Sequence, residues 1–195
     1  VWNTLNGRIF QLTDPDGVST VSRFAVHGDI ILVLLSPLYL IWSDPRMLLL
    51  LQTVVLSLGS VFVYLIARKV LVDKNLSFAF ALSYLLYPAV GYVNLYDFHA
   101  VSLATTFLLA AFYFYLTKNY ILVTVFALLS AFTKEQAWAI TSLFGFYIFI
   151  KEVLNKTNRN LKEALFGFML FAISTLMFIL LFWKIIPFFK GGNHF

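Results

Sequence analysis

The chain has 195 residues, 61% of them hydrophobic and only 12% charged. A soluble domain carries about 25% charged residues, so the polar surface here is too small to cover a water-facing globule, and a soluble enzyme is excluded. The net charge of +5 is spread over short loops between apolar runs rather than along one stripe, which excludes nucleic acid as a partner and points to membrane topology. With no cysteine, disulfide frameworks, thiolate metal sites and cysteine nucleophiles are excluded as well.

Residues 1–46 read as an extracytoplasmic loop. Trp2 to Gly28 is mostly polar, and Thr13-Asp14-Pro15-Asp16-Gly17 is a turn by its Pro and Gly placement. Nothing there resembles a signal peptide. Val1 is not an initiator and residues 188–195 stop in a loop, so the expectation is a piece of a longer chain at both ends. Residues 28–43 are apolar but interrupted by Pro37. They are too short for a comfortable crossing of about 30 Å of hydrocarbon, and are expected to form a juxtamembrane or re-entrant helix; an ordinary tilted span is the alternative.

A bundle is predicted over 47–187, of about six spans, two of them short. Residues 47–67 form the first span, closed by Arg68, Lys69 and Lys74. Residues 76–95 form the second and 100–117 the third, closed by Lys118. The apolar stretch 120–150 is broken only at Thr133-Lys134-Glu135-Gln136. One straight helix would be about 46 Å long with two charges at its centre, so a hairpin of two short helices is expected. The most basic loop, 151–163, carries Lys151, Lys156, Arg159 and Lys162, and a last span runs from 164 to 183.

Short loops rich in Lys and Arg face the cytoplasm. Placing loops 68–75 and 151–163 there needs an even number of crossings between them, and the hairpin supplies it. Asp97, His99, Lys134 and Glu135 then lie near the outer face and Lys118 near the inner one. The sequons at Asn75 and Asn155 fall in cytoplasmic loops and carry no meaning. Tyr92, Tyr96, Trp138 and Trp183 sit near the interfaces, as amphipathic rings do in any membrane protein.

Ionisable residues at membrane depth cost a few kcal/mol each and need a partner, a cavity or a task. Lys134 and Glu135 point about 100 degrees apart on a helix, so each must look elsewhere for a partner. In one reading Lys134 meets a phosphate as a compact cation, while Asp97 or Glu135 accepts a proton or binds a divalent cation with His99. In the other, each charge only caps a helix end at the headgroups. The set Asp97, His99 and Glu135 has metal-ligating chemistry but matches no zinc spacing, so a divalent cation stays open as cofactor. Arg8 and Arg23 would meet an anionic headgroup or phosphate, or are plain surface charge; His27 could reach the same face.

Trp2-Asn3-Thr4-Leu5-Asn6-Gly7, Phe24-Ala25-Val26-His27, Ala67-Arg68-Lys69, Tyr96-Asp97-Phe98-His99 and Thr133-Lys134-Glu135-Gln136, in that order, resemble a prokaryotic membrane-protein family known as domain of unknown function 2079. The resemblance covers nearly the whole chain. That family looks related to the GT-C glycosyltransferases, multi-pass enzymes that use polyprenyl-phosphate-linked sugars. It implies an all-α, GT-C-like transmembrane bundle in the prokaryotic cytoplasmic membrane, with juxtamembrane helices in the first outer loop. It also implies membrane lipid and a polyprenyl-phosphate sugar as partners. By the same analogy Asp97 matches a second acidic element on the outer side and Lys134 meets lipid phosphate, while the first-loop acid of such enzymes would lie upstream of Val1. Gly28-Asp29 follows His27 where the family more often has Phe-Ser-Pro. A transporter or flippase, with Lys134 and Glu135 on a charged path near the midplane, is the rival reading. An assembly subunit without chemistry is a third.

Overall fold

The computed structural model describes residues 1–13, 17, 20–155, 157 and 159–191. The turn residues Asp14, Pro15 and Asp16, the loop residue Lys156 and the tail 192–195 lie outside the described residues. The N-terminal region has a one-turn helix α1 (Trp2–Leu5) and a hairpin of β1 (Gln11–Thr13) and β2 (Thr20–Ser22), paired antiparallel with Leu12 opposite Val21. A 3-10 turn at Arg23–Ala25 follows. Next come the short helix α2 (Ile31–Leu35) and a 3-10 segment, Ser36–Leu40, that holds Pro37.

α3 (Arg46–Leu71) is the first long apolar helix, about 39 Å at 1.5 Å per residue. Asp44 starts it by accepting the Arg46 N–H at 2.8 Å and the Arg46 guanidinium at 2.8 and 3.0 Å. The side-chain hydrogen bond from Arg46 is the main reason that the Asp44 carboxyl is held down to about 2. The expected second span is two helices, α4 (Lys74–Leu85) and α5 (Pro88–Leu95), bent by 41°. Pro88 in the first turn of α5 has no N–H to give and its ring disfavours a helical Tyr87, which is extended.

α6 (Ser102–Leu116) and α7 (Tyr120–Ala131) follow, then α8 (Glu135–Leu154) and α9 (Leu161–Leu180). α9 continues through a π-helical turn, Leu181–Ile185, into α10 (Ile186–Phe189). Among the described residues three helices are long and apolar enough to cross a membrane, and a fourth span is obtained when the bent pair counts as one. The expected hairpin over 120–150 is present but unequal: α7 has 12 residues and α8 has 20.

The two ends of the bundle differ chemically. At one end Lys118 donates to Glu163 Oε1 and Oε2, both at 2.7 Å, and Tyr120 to Glu163 Oε2 at 2.9 Å. Lys151 reaches the Tyr115 hydroxyl at 2.7 Å. The close of α6, the start of α7, the close of α8 and the start of α9 therefore meet, which requires α7 and α8 to run antiparallel. α4, α7 and α9 all start at this basic end, capped by Asp73, Asn119 and Asn160, whose side chains accept first-turn N–H groups. The opposite end carries the residues singled out from the sequence.

Interior packing follows membrane rules. With lipid as apolar as leucine, small residues let backbones approach. Gly145 on α8 and Gly167 on α9 face each other so closely that a Cβ on Gly167 would lie 2.6 Å from the Phe149 nitrogen. Ser142 and Thr175 share a hydrogen bond of 2.7 Å across the same seam. Ile31 packs with Ala100 and Leu103, and Tyr39 lines a cavity with Leu48 and Phe98. Both ends of the 31–40 segment thus rest on the same end of the bundle.

Candidate functional site

α7 closes at the Thr133 side chain, which donates to the Ser130 carbonyl at 2.6 Å. Lys134 is extended and precedes α8, whose first turn carries Glu135. A carboxylate there complements the positive end of the helix dipole. The neighbours diverge as consecutive positions must. Glu135 turns inward and is only 4% exposed. Lys134 is half-buried, and among the described residues its ammonium has no hydrogen bond or ion pair.

The N-terminal region closes over this corner. His27 Nδ1 lies 3.2 Å from Glu135 Oε1, so that nitrogen carries the proton, and the Gly28 N–H donates to Glu135 Oε2 at 3.0 Å. Gly28 fits because a Cβ would sit 3.2 Å from a Leu181 methyl. The Ile31 N–H donates to the Phe132 carbonyl at 3.0 Å. Arg23 grips Asp29 with Nε at 3.1 and 3.0 Å and Nη2 at 2.6 Å, and Asp29 is buried. That two-pronged pair neutralises a carboxylate that burial would otherwise penalise.

The third wall is the connection 96–101 between α5 and α6. Asp97 is exposed and its carboxylate has no protein partner among the described residues. His99 Nδ1 lies 3.0 Å from the Asp97 carbonyl and the ring stacks on Tyr96 at 5.6 Å. Beneath the loop the buried side chain of Gln52 on α3 accepts from the His99 N–H at 3.1 Å and donates to the Val93 carbonyl at 3.0 Å.

These three walls enclose a cavity of about 400 Å³ lined by Arg23, His27, Asp29, Asp97, His99 and Lys134 among others. A second cavity of about 820 Å³ shares Asp97, His99 and Val101 with it and is otherwise mostly apolar, with Tyr84, Tyr87, Tyr92 and Tyr96 in its wall. The structure therefore brings together Asp97, His99, Lys134, His27 and Arg23, which stand far apart in sequence. Arg8 is not with them: it stacks over Trp2 at 5.3 Å. Glu135 supports the wall from behind and does not line the cavity. Among the described residues no three His, Asp or Glu side chains are grouped to hold a metal ion. Of the set Asp97, His99 and Glu135, the first two line the cavity, while the Glu135 oxygens face His27 and Gly28.

Reading the sequence alone missed Gln52, Asp29 and Gly28 as parts of this site. Gln52 had a visible signal, since it is the sole amide in the apolar run 47–67. Asp29 and Gly28 had none, because their partners are set by tertiary contact. No curated protein and no solved structure matches the chain. Residues 1–194 match the family described as "Predicted membrane protein (DUF2079)", and the long apolar helices agree with that description: the chain belongs to this family of membrane proteins.

Proposed function

We propose that this chain forms part of a GT-C-type glycosyltransferase of the prokaryotic cytoplasmic membrane, moving a sugar from a polyprenyl-phosphate donor to an acceptor at the outer face. One observation carries the reading. An unpaired ammonium, Lys134, and an uncommitted carboxylate, Asp97, line one polar cavity that shares Asp97, His99 and Val101 with a larger, mostly apolar one. A lipid phosphate needs both environments at once: an apolar channel for its chain and a cation for its head.

In the reaction, the Asp97 carboxylate accepts the proton of an acceptor hydroxyl as that oxygen bonds to the anomeric carbon. The bond from that carbon to the lipid-phosphate oxygen breaks, and the charge gathering on the phosphate meets Lys134 and His99. Arg23 and Glu135 act as support, since each is already paired. The scheme uses side chains alone. The rival transporter reading needs Lys134 and Glu135 midway along a path between half-helices laid end to end. Antiparallel α7 and α8, with those residues at the tip of the hairpin, favour the transferase.

The test is transfer of labelled sugar from polyprenyl phosphate by the full-length protein in liposomes. Asp97→Asn and Lys134→Ala are each expected to lower turnover by about 100-fold or more. Native turnover in both variants would refute the assignment.

A further inference from the structure

We propose that Gln52 is the positioning residue of this site, holding the 96–101 connection so that Asp97 and His99 face the cavity. What the loop does there rests on the transferase reading; what holds it rests on geometry alone. Gln52 is fully buried, two turns inside α3. Its Oε1 accepts from the His99 N–H at 3.1 Å and lies 2.9 Å from the Ser102 hydroxyl, whose single proton also has the His99 carbonyl at 2.7 Å within reach. Its Nε2 donates to the Val93 carbonyl at 3.0 Å. Val93 precedes the connection and Ser102 follows it, so one side chain pins both of its ends to α3. Next to it, Thr53 Oγ1 lies 2.9 Å from Asn94 Oδ1 at the near end, and its single proton also has the Leu49 carbonyl at 2.9 Å within reach.

The chemistry selects the residue type. A backbone carbonyl can only accept and a backbone N–H can only donate, so the group between Val93 and His99 must donate at one end and accept at the other. A primary amide of glutamine length does this in one orientation. Leucine fills the volume but leaves both backbone groups unsatisfied. A neutral glutamic acid restores the donor and the acceptor together, and an ionised one loses the donor and turns an oxygen against the Val93 carbonyl.

The experiment is hydrogen exchange at the His99 amide in the full-length protein in lipid nanodiscs, together with binding of polyprenyl phosphate in vesicles of otherwise neutral lipid. Gln52→Leu is expected to speed exchange at His99 by about tenfold or more while α8 and α9 keep their protection, and to weaken binding. Gln52→Glu is expected to keep slow exchange and binding in mildly acidic buffer and to lose both in alkaline buffer. Asp97 and His99 on the same loop also titrate, so each variant is read against the native protein in the same buffer. Native protection at His99 in Gln52→Leu, or a Gln52→Glu variant indifferent to pH, overturns the proposal. Should Gln52→Leu not fold, the two buffers of Gln52→Glu decide alone. If the native protein binds no polyprenyl phosphate while the exchange pattern holds, the transferase reading fails and the positioning role stands.

Discussion

Gly28 donates its backbone N–H to Glu135 Oε2 at 3.0 Å, across 107 positions of sequence. With His27 on the other oxygen, it turns the one buried carboxylate of the α7–α8 corner into the anchor of the N-terminal region, and Lys134 is left without that partner. Glu135→Ala would strand the Gly28 N–H and is expected to cost about 1–3 kcal/mol of stability. Glu135→Gln, which still accepts from Gly28, should cost less. Thermal unfolding in detergent ranks the two, and equal losses would contradict the role of the Gly28 bond.

Lys134 should behave in the opposite way. Its ammonium has no protein partner among the described residues, so Lys134→Gln is expected to stay within about 0.5 kcal/mol of the native stability. The same variant should lose binding of a polyprenyl phosphate. A large drop in melting temperature would mean that the ammonium is structural.

The α8–α9 seam predicts a sharp contrast among glycines. A Cβ at Gly167 would press on the Phe149 backbone, and neither backbone can move aside as a flexible side chain would. Gly167→Ala should destabilise by about 1–3 kcal/mol. Gly91 on α5 has open space around it, so Gly91→Ala should be neutral or stabilising by up to about 1 kcal/mol. Melting curves of the two variants side by side check this.

At the basic end, Glu163 is buried and accepts from Lys118 and Tyr120. A double-mutant cycle of Lys118→Met and Glu163→Gln is expected to give a coupling of about 0.5–1.5 kcal/mol, discounted from a fully buried charged pair because Lys118 is half exposed. Independent effects of the two substitutions would remove this clamp from the account of how α6 to α9 are held.

These 195 residues hold no cysteine, so a single cysteine placed among them reports sidedness once any cysteine elsewhere in the full-length protein has been replaced by serine. Gln136 is exposed beside the cavity and Lys162 is exposed at the basic end. In intact cells an impermeant maleimide should label Gln136→Cys, and should reach Lys162→Cys only after permeabilisation. The reverse pattern would invert the orientation.

Much of the architecture was legible because hydrophobic length and loop charge are local properties. The runs 47–67, 100–117 and 164–183 became α3, α6 and α9 with small shifts at their ends, and the break at Thr133-Lys134-Glu135-Gln136 separates α7 from α8. The 41° bend at Leu86 and Tyr87 was missed although Pro88 announces it, because proline within an apolar run is tolerated in membrane helices. The unequal hairpin was missed because hydropathy does not register where a helix starts inside a continuous apolar run. Among the candidate residues, Lys134, Asp97 and His99 could be singled out by charge at membrane depth. Arg23, read from its charge as meeting a phosphate or as plain surface charge, lines the same cavity with its guanidinium paired to Asp29, a partner that only tertiary contact supplies.

From its residues alone the chain is committed to a membrane, to helices, and to loops rich in Lys and Arg at one end, since each follows from side chains summed over neighbouring positions. Which carboxylate is spoken for and which stays open, and that a glutamine in α3 ties down a loop 47 positions away, depended on the packed bundle. Those outcomes rest on hydrogen bonds between backbone and side chain across distant elements. Such bonds are specified to a few tenths of an ångström by packing, and no sequence period encodes them.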